Sequence, residues 1–295
     1  MSQIVVLGSA NMDLVTRQPR LPEPGETMAG TGFATGAGGK GLNQAVAARR
    51  AGADVVFIGA VGDDGFGREL RGFLEAEGVA ADRLATSDEP TGIAQVSVLD
   101  GGENSIVIVA GANGESALAD GDAAAIAEAS ALVVQLERPL PLVEKGLSAA
   151  RAAGVRTVLT PAPVDPAAAL LLPLADILVP NESEALALSG ETDVEAAARV
   201  LSATAGTVIV TLGARGSLIA RGGEIVSRVE ARRVEAVDTT GAGDTFVGVL
   251  VAWIVDAAEL DDAVRAATAA AAIAVTRPGA APAMPTRAEI DAALA

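Results

Sequence analysis

Short apolar runs alternate with segments of helical spacing through most of this 295-residue chain. The runs are rich in β-branched residues, which is typical of buried strands. They lie at residues 4–9, 55–61, 131–135, 156–160, 176–180 and 207–213. The helix-like segments between them lie at residues 41–51, 65–77, 139–153, 182–189 and 193–205. Because strands joined by helices run parallel, this order predicts an α/β fold with a mostly parallel central sheet and helices on both faces.

Two segments interrupt the alternation. Residues 14–35 contain several Pro and Gly residues, and residues 91–109 indicate a hairpin around Asp100-Gly-Gly. Neither segment has helices to cover it, so we expect the two to form a small β-sheet that projects from the main sheet as a lid. A peripheral hairpin or a dimer contact is the alternative, and it is compatible with the lid. With no long linker or repeat, residues 1–295 are expected to form a single domain into which these segments are inserted.

The amino-acid composition excludes several kinds of catalytic site. The chain contains no His, Cys or Tyr, which rules out Ser-His-Asp triads, thiolate nucleophiles and zinc clusters. Catalysis would have to use carboxylates, Lys, Arg, hydroxyl groups, backbone amides or a bound cation. Unbroken apolar runs stop at about ten residues, well short of a membrane span. We expect no signal peptide and no membrane association, and therefore a cytoplasmic protein.

The net charge of −17 restricts the partners of the chain. Nucleic acids need clustered Lys and Arg, so binding to them is not expected. A polyanionic ligand would also be repelled at long range, and backbone amides, a few cations or a divalent metal would have to hold it. The only lysines are Lys40 and Lys145, and Lys40 lies within Gly38-Gly-Lys-Gly41.

The segment Asp238-Thr-Thr-Gly-Ala-Gly-Asp-Thr-Phe246 carries the strongest local signal. It follows an alternating run at 231–237 and precedes an apolar run at 246–255, which indicates a strand end, a glycine turn and a buried helix. The first N–H groups of a helix have no intrahelical partner, and Gly241 and Gly243 leave room for an anion beside them. Asp244 could accept a proton while negative charge builds up nearby. The alternative is an ordinary helix start in which Asp244 complements the helix dipole.

The glycine-rich segment 36–41 formally matches a dinucleotide-binding fingerprint, with Asp54 downstream. The residues before it make a poor buried strand, so we reject that interpretation. A phosphate-binding P-loop also fails, because position 34 is Ala and Gly follows Lys40. Of the remaining choices, a helix start or a polar-ligand site, we favour the ligand site, since Lys40 and Asn43 are donors suited to hydroxyl groups.

Further polar residues follow predicted strands, where ligands of open α/β sheets gather. Asn11 and Asp13 follow the first strand and could bind vicinal hydroxyl groups, although turn residues are the alternative. Glu137 follows another strand and could be a simple helix cap. Residues 181–184 open a helix, either as a capping segment or as a contact to phosphate or metal-bound water. Residues 211–216 form a predicted turn that contains Arg215.

Two longer signatures resemble a known family. They are GAGGKGLNQAVAARRAGADVVFIGAVGDDGFG (36–67) and DTTGAGDTF (238–246), and on them the chain resembles the ribokinase (PfkB) family of carbohydrate kinases. The similarity runs from IVVLGSANMD to TRPGAAPAMP, essentially the whole chain. The segments LGSANMD and QLE (135–137) resemble the ribose-specific members more narrowly.

The resemblance implies transfer of the γ-phosphoryl group of ATP, bound with Mg²⁺, to the 5-hydroxyl group of D-ribose. It also implies a monovalent cation, expected to be K⁺, and a homodimer formed through the lid strands. Alternatives within the family are fructose, another pentose or a nucleoside as acceptor. Outside it, the alternatives are a non-catalytic sugar-binding protein and an NAD-dependent protein of similar architecture.

The resemblance further implies roles for individual positions. Asp244 would be the catalytic base, and the anion hole would comprise Gly241, Ala242 and Gly243. The sugar contacts would be Asn11, Asp13, Gly39, Lys40, Asn43, Glu137 and Asp244. The nucleotide contacts would be Asn181, Thr211, Gly213, Arg215, Gly216, Gly243 and Thr268. Glu184 would act on Mg²⁺ through water. The monovalent cation would be held by Asp238, Thr240, Ala274, Arg277, Gly279 and Ala283, the last of which is often Ser in the family.

Overall fold

The computed structural model describes residues 3–101 and 103–295 of the chain. Its strands are β1 (Gln3–Leu7), β2 (Asn11–Gln18), β3 (Gly32–Gly38), β4 (Asp54–Gly62), β5 (Leu84–Ser87), β6 (Gly92–Leu99), β7 (Asn104–Val109), β8 (Ala131–Val134), β9 (Arg156–Leu159), β10 (Ile177–Leu178), β11 (Thr207–Thr211), β12 (Ser217–Arg221) and β13 (Glu224–Val229). Its α-helices are α1 (Lys40–Arg50), α2 (Gly65–Ala76), α3 (Asp122–Glu128), α4 (Leu140–Ala152), α5 (Glu182–Ser189), α6 (Val194–Ser202), α7 (Ala242–Val255), α8 (Leu260–Ala274) and α9 (Arg287–Leu294). None of these helices is long and apolar enough to cross a membrane.

The main sheet has nine strands in the spatial order β13-β12-β11-β10-β9-β8-β1-β4-β5. All neighbours from β11 to β5 pair in parallel, whereas β12 and β13 are antiparallel additions at one edge. Alternate residues of β1 enter different cores: Ile4 packs with residues of α1, α7 and α8, and Val5 packs with residues of α4. Helices therefore cover both faces of the sheet, which confirms the predicted fold class.

The predicted strands and helices listed above are confirmed, but the strand end predicted over 231–237 is wrong. The preceding strand β13 ends at Val229, and residues 231–237 pair with no strand in the described part of the chain. Their alternation of polar and apolar residues leaves Val234 and Val237 41% and 66% exposed, so no apolar face is buried against a neighbour. The segment is instead tied down at its end, where the Val237 N–H donates to the Val275 carbonyl over 2.7 Å.

The second sheet is small and has the strand order β3-β2-β6-β7. Strands β2 and β6 pair in parallel, and the two outer pairings are antiparallel. The predicted segments 14–35 and 91–109 both contribute to it, although β2 begins earlier, at Asn11, and β3 ends later, at Gly38. Of the predicted Asp100-Gly-Gly turn, Gly102 lies outside the described residues. The second sheet is thus confirmed, while its action as a lid and the division of the chain into a single domain with insertions stay predictions.

Helices α1 and α7 approach each other closely because a glycine lies between them. A Cβ atom added at Gly248 of α7 would lie 2.5 Å from the Ala47 Cβ and 2.6 Å from the Gln44 carbonyl oxygen of α1. At the start of α1, a Cβ at Gly41 would similarly lie 2.6 Å from the Gly8 Cα that follows β1. Because Gly248 and Gly41 have no side chain, α1 can lie close to α7 and to the end of β1. This brings Lys40 and Asn43 of α1 near Asp244 of α7.

We predict that Gly248→Ala lowers the free energy of unfolding, by about 1–3 kcal/mol, because the added methyl group forces two packed helices apart. The matched control is Gly72→Ala in α2, where an added Cβ would meet no atom within 4 Å. That change should raise the free energy of unfolding by roughly 0.5–1 kcal/mol, since Ala suits a helix better than Gly. Urea unfolding of the three proteins gives both values, and a Gly248→Ala protein as stable as wild type would contradict the packing argument.

Candidate active site

The predicted sugar contacts and Asp244 gather where the carboxyl ends of β1 and β8 meet the amino ends of α1 and α7. This edge of an open parallel sheet is the usual place for a ligand. Asp244 lies in the first turn of α7, after Gly241, which takes the left-handed conformation with φ 72°. Glycine adopts this conformation without strain, so the chain can turn sharply into the helix.

Asp244 is the most enclosed acidic group of the cluster, with 8% of the residue exposed. Its Oδ2 accepts a hydrogen bond from the Asn43 side-chain amide over 3.1 Å, and its Oδ1 accepts one from the Gln44 amide over 2.9 Å. Burial raises the pKa of Asp244, although Lys40 and the two amides oppose this effect by favouring the ionised form. A carboxylate whose pKa is shifted towards neutrality is suited to accept a proton during catalysis.

The turn before Asp244 leaves space beside the start of α7. No side chain caps this helix within the part of the chain that the structure describes, and a Cβ added at Gly243 would meet no atom within 4 Å. The Ala242 N–H donates weakly to the Thr239 carbonyl over 3.3 Å. The predicted anion hole of Gly241, Ala242 and Gly243 is therefore a helix start that is accessible to an anion.

Glu137 joins the end of β8 to the start of α1. Its Oε2 accepts hydrogen bonds from the Ser9 hydroxyl over 2.5 Å and from the Lys40 backbone N–H over 3.0 Å. The predicted alternative, a cap of its own helix, does not match these contacts, because Glu137 caps α1 instead. Gly39 takes φ 92°, and a Cβ there would lie 2.9 Å from the Asn11 nitrogen, so the backbone can pass close to the end of β1.

Lys40 supplies the positive charge of this cluster. Burial alone would lower the pKa of its ammonium group, but Asp244, Glu137 and Glu184 raise the pKa above its usual value. Lys40 is therefore charged at neutral pH, and it balances part of the surrounding negative charge.

Asn11 and Asp13 lie on β2, at the junction of the two sheets. The Asn113 side-chain amide donates to the Asn11 Oδ1 over 2.8 Å, so the NH₂ group of Asn11 is directed away from Asn113. Burial raises the pKa of Asp13 to about 7, and the charges of Glu137 and Asp244 add to the effect. The site thus offers amide donors next to a carboxyl group that can be either donor or acceptor near neutral pH.

The predicted nucleotide contacts lie on the neighbouring strands. Asn181 and Thr211 form a parallel bridge at the ends of β10 and β11. The capping alternative for residues 181–184 is realised: the Asn181 Oδ1 accepts from the Glu184 N–H over 2.9 Å, and the Glu184 Oε2 accepts from the Asn181 N–H over 2.8 Å. Burial raises the pKa of Glu184, and the nearby charges of Lys40 and Asp244 act on it in opposite directions.

The other predicted nucleotide-binding residues form turns or contacts within the protein itself. Gly213 and Arg215 form a short 3₁₀ turn between β11 and β12, as predicted, and Arg215 pairs with Glu182 over 2.5 Å on the surface. Gly216 takes φ 84°, and a Cβ there would clash with the Val229 carbonyl oxygen. The buried Thr268 hydroxyl donates to the Val264 carbonyl within α8.

The predicted cation positions lie in two loops that contact each other. Asp238 accepts from the Thr240 N–H over 2.9 Å through Oδ1 and from the Gly279 N–H over 2.9 Å through Oδ2. Although burial alone would raise the pKa of Asp238, these hydrogen bonds hold it below its usual value. The Ala274 carbonyl accepts from the Arg277 N–H over 3.0 Å. One guanidinium nitrogen of Arg277 lies 3.5 Å from the Ala283 carbonyl and would compete with a cation there.

Sequence reasoning missed several residues that organise the site: Ser9, Gln44, Asn113 and Gln135. Three of them lie inside motifs that were already singled out, since Ser9 is part of LGSANMD, Gln44 follows Asn43, and Gln135 opens QLE. Their neighbours were selected because they could contact a ligand. Residues that contact only other site residues carry no such signal.

Comparison with known proteins extends over the whole chain. Residues 1–287 match the model of the pfkB family carbohydrate kinases. The chain is 41% identical over 296 residues to a ribokinase of Haemophilus influenzae, covering 97% of this chain and 96% of that protein. It is 39% identical over 309 residues to a ribokinase of Schizosaccharomyces pombe, covering 99% of this chain and 97% of that protein.

Solved structures also resemble this fold over the whole length of the chain. The structure of Arabidopsis thaliana ribokinase complexed with ribose and ATP has a TM-score of 0.93 at 34% identity, with 100% of this chain and 99% of that chain covered. Ribokinase from Thermotoga maritima has a TM-score of 0.93 at 33% identity, with the same coverage. The likeness therefore includes both the main sheet and the small one.

The raised pKa of Asp13 predicts a stability change with pH. The folded-state pKa of about 7 exceeds the ordinary value of 3.8, so the folded protein binds this proton more tightly than the unfolded chain does. The contribution to stability is full below 3.8 and is lost as the pH rises through 7. In unfolding experiments across this range, we expect Asp13→Asn to become progressively more stable than wild type as the pH rises. Asp63→Asn, at an 86% exposed side chain, is the control and should show no such trend. A constant difference for Asp13→Asn would contradict the assignment.

Proposed function

Because the chain belongs to the pfkB family of carbohydrate kinases, we propose that it transfers the γ-phosphoryl group of ATP to the 5-hydroxyl group of D-ribose. The observation that carries the proposal is the buried Asp244 carboxylate, which lies beside an open helix start and within one polar cluster. The relatives that match nearly the full length of the chain are ribokinases, and they support ribose as the acceptor.

In the proposed reaction, the 5-hydroxyl oxygen forms a bond to the γ-phosphorus while the bond from that phosphorus to the leaving ADP oxygen breaks. Asp244 accepts the hydroxyl proton. Such transfers depend mainly on in-line positioning and charge stabilisation. Asn11, Asp13 and Lys40 bind the sugar hydroxyl groups, and Asn43 adjoins Asp244.

The start of α7 stabilises the transferring group. Backbone N–H groups at residues 241–243 lie at the positive end of the helix dipole, where negative charge on a phosphoryl group is favoured. The protein supplies few other cations here, since Arg215 is paired with Glu182. ATP therefore needs a counter-ion to approach a chain of net charge −17.

The side chains fit a magnesium ion that arrives with ATP. Among the described residues, no group of three or more acidic side chains could hold a metal by itself. Mg²⁺ commonly keeps several waters and is bound through substrate phosphates with one or two carboxylates. Glu184 would hold the ion through water, and Mg²⁺ would supply charge neutralisation at the phosphates.

We also propose a monovalent cation, K⁺, in the loops that contain Asp238, Thr240 and Gly279. The hydrogen bond from the Gly279 N–H to Asp238 joins the two loops, and the hydrogen bond from the Thr240 N–H to Asp238 orders the first loop. Both support the site, because they hold the contributing groups together. The carbonyl groups of Ala274, Arg277 and Ala283 complete the proposed set. The cytoplasmic location expected from the sequence stays a prediction.

The proposed activity is tested by ADP release with D-ribose, D-fructose, another pentose and a nucleoside. We expect D-ribose to give the highest kcat/KM. The matched control is Asp244→Asn, which is nearly isosteric and should bind ATP normally but lose about 10²–10⁴-fold in kcat, since it cannot take the proton. A preference for another acceptor would show that D-ribose is not the substrate. A kcat near wild type in Asp244→Asn would rule out Asp244 as the base. Sugar binding without turnover would identify a non-catalytic protein.

We propose that the protein forms a homodimer through its small sheet. Its edge strand β7 is exposed along its whole length, and four apolar residues in a row, 106–109, are 48–59% exposed. Phe33, on the opposite edge strand β3, is 69% exposed. Exposed apolar edge strands are normally covered, because their free backbone groups pair with other chains. Strand β7 contains no charged residue, so two acidic chains can approach each other here without facing carboxylates.

We expect Val107→Lys to separate this dimer, because a charged side chain would have to be buried in the interface. Light scattering after size exclusion should give half the wild-type mass for this variant. The control is Val226→Lys, at a valine of similar exposure in β13 of the main sheet, which should keep the wild-type mass. A monomeric wild-type protein, or a dimer that Val107→Lys leaves intact, would refute the interface.

A further inference from the structure

Two buried amides lie in series behind Asp244. The Gln135 Nε2 donates to the Gln44 Oε1 over 2.6 Å, and the Gln44 Nε2 donates to the Asp244 Oδ1 over 2.9 Å. Gln44 and Gln135 are 0% and 1% exposed. The contacts join three separate elements: the end of β8, the helix α1 and the first turn of α7.

The direction of both amides is determined by this series. An amide group can present either its oxygen or its NH₂ group, and its hydrogen-bond partners decide which. If Gln44 were reversed, its carbonyl oxygen would face the Asp244 carboxylate and its NH₂ group would face the Gln135 NH₂ group. Both contacts would be repulsive, so the N–H of Gln135 fixes the N–H of Gln44 towards Asp244.

The Gln135 amide has this orientation although its own carbonyl oxygen accepts no hydrogen bond among the described residues. Its Oε1 is buried and has no hydrogen-bond partner among the described residues. Leaving a buried acceptor unpaired is unfavourable. A Cβ at position 8 would lie 2.3 Å from this oxygen, so Gly8 provides the room that the amide needs. The packing thus favours the N–H contact to Gln44 over satisfaction of the Gln135 oxygen.

The two oxygens of Asp244 then have different surroundings. Oδ1 accepts the hydrogen bond from Gln44, whereas Oδ2 accepts the hydrogen bond from Asn43 over 3.1 Å. The Asn43 Oδ1 is buried and has no hydrogen-bond partner in the described part of the chain. Oδ2 is therefore the carboxylate oxygen that adjoins Asn43, a predicted sugar contact.

We infer that Gln135 is a positioning residue: by orienting the Gln44 amide, it keeps Asp244 ionised and directs Oδ2 to the hydroxyl proton. This inference rests on the proposed function, because it assumes that Asp244 is the base. The hydrogen bond from Gln44 opposes the effect of burial on the pKa of Asp244, since an N–H donor favours a carboxylate over the neutral acid.

Other charges also act on Asp244, and they remain in place when Gln135 is changed. They are Lys40 on α1, Asp13 on β2, Glu137 after β8 and Glu184 on α5. None of them receives a hydrogen bond from Gln135 or Gln44 in the described structure. A neutral substitution such as Gln135→Met therefore alters one contact of the carboxylate series and leaves the charge pattern unchanged.

The test is the pH dependence of kcat for Gln135→Met, a change that keeps the size of the side chain and removes the donor to Gln44. Gln44 can then reverse, and its carbonyl oxygen favours protonated Asp244. We expect the acid limb of the profile to move upwards by roughly one pH unit, which corresponds to loss of one hydrogen bond to a charged group. KM for ATP should not change. Gln135→Glu should give a larger shift, because its carboxylate would attract the Gln44 N–H away from Asp244.

The matched control is Thr160→Val. The Thr160 hydroxyl lies 3.5 Å from the same Gln44 nitrogen but does not contact the Gln44 oxygen, so its loss should leave the acid limb in place. A Gln135→Met protein with a reduced kcat and an unmoved acid limb would overturn the inference, since a merely structural role predicts that result.

A second measurement does not depend on activity. Carboxyl-carbon NMR titration of the free protein, with the Asp244 signal assigned from Asp244→Asn, reports the pKa of Asp244 directly. An upward shift in Gln135→Met supports the inference, and an unchanged value overturns it. If wild type phosphorylates no acceptor yet this pKa moves, the proposed function fails while the orientation of the carboxylate by Gln135 stands.

Discussion

The close packing of α1 against α7 is the constraint on which the rest of the site depends. Gly248 allows the two helices to approach until Asn43 and Gln44 of α1 reach the carboxylate of Asp244 on α7. Gly41 does the same between α1 and the end of β1. Because protein interiors are close-packed, a displacement of α1 by a fraction of an ångström would reach every hydrogen bond of the carboxylate. Gly248 and Gly41 therefore contribute to the site by allowing the close approach of the backbone segments that carry its side chains.

Charge is the second constraint, and it explains why neutral amide groups donate hydrogen bonds to the acidic residues of the site. Asp13, Glu137 and Asp244 lie within electrostatic range of one another, and Glu184 lies within range of Asp244. Lys40 is the cation of this group. Burial raises the pKa of several of these acids, so their ionised forms need donors. Backbone and side-chain N–H groups supply them without adding charge, which leaves the lysine available to a sugar. Asp13, whose pKa is raised to about 7 by burial, can exchange a proton near neutral pH.

Sequence periodicity was enough to predict six of the nine strands of the main sheet, because buried parallel strands are continuous apolar runs. Strands β5, β12 and β13 were not predicted. It failed at residues 231–237, where alternation matched a strand but no neighbouring strand was available to pair with it. The glycine turn and Asp244 were predictable from local chemistry. The amide series was not, because Gln44 and Asp244 are 200 residues apart in the chain and Gln135 and Gln44 are 91 apart. Such contacts exist only once the helices have packed, so no local pattern encodes them.

The two sheets divide the proposed reaction between them. Asn11 and Asp13 belong to β2 of the small sheet, paired with Gly38 and Gly36 of β3. Asp244 and the proposed anion-binding turn belong to the start of α7, which is packed in the core of the main body. A movement of the small sheet would therefore carry Asn11 and Asp13 relative to the proposed base, while Lys40, the proposed base and the proposed phosphate site stay in the main body. Because its apolar edges are exposed, association through those edges would restrict that movement, so oligomeric state and sugar binding are expected to be coupled.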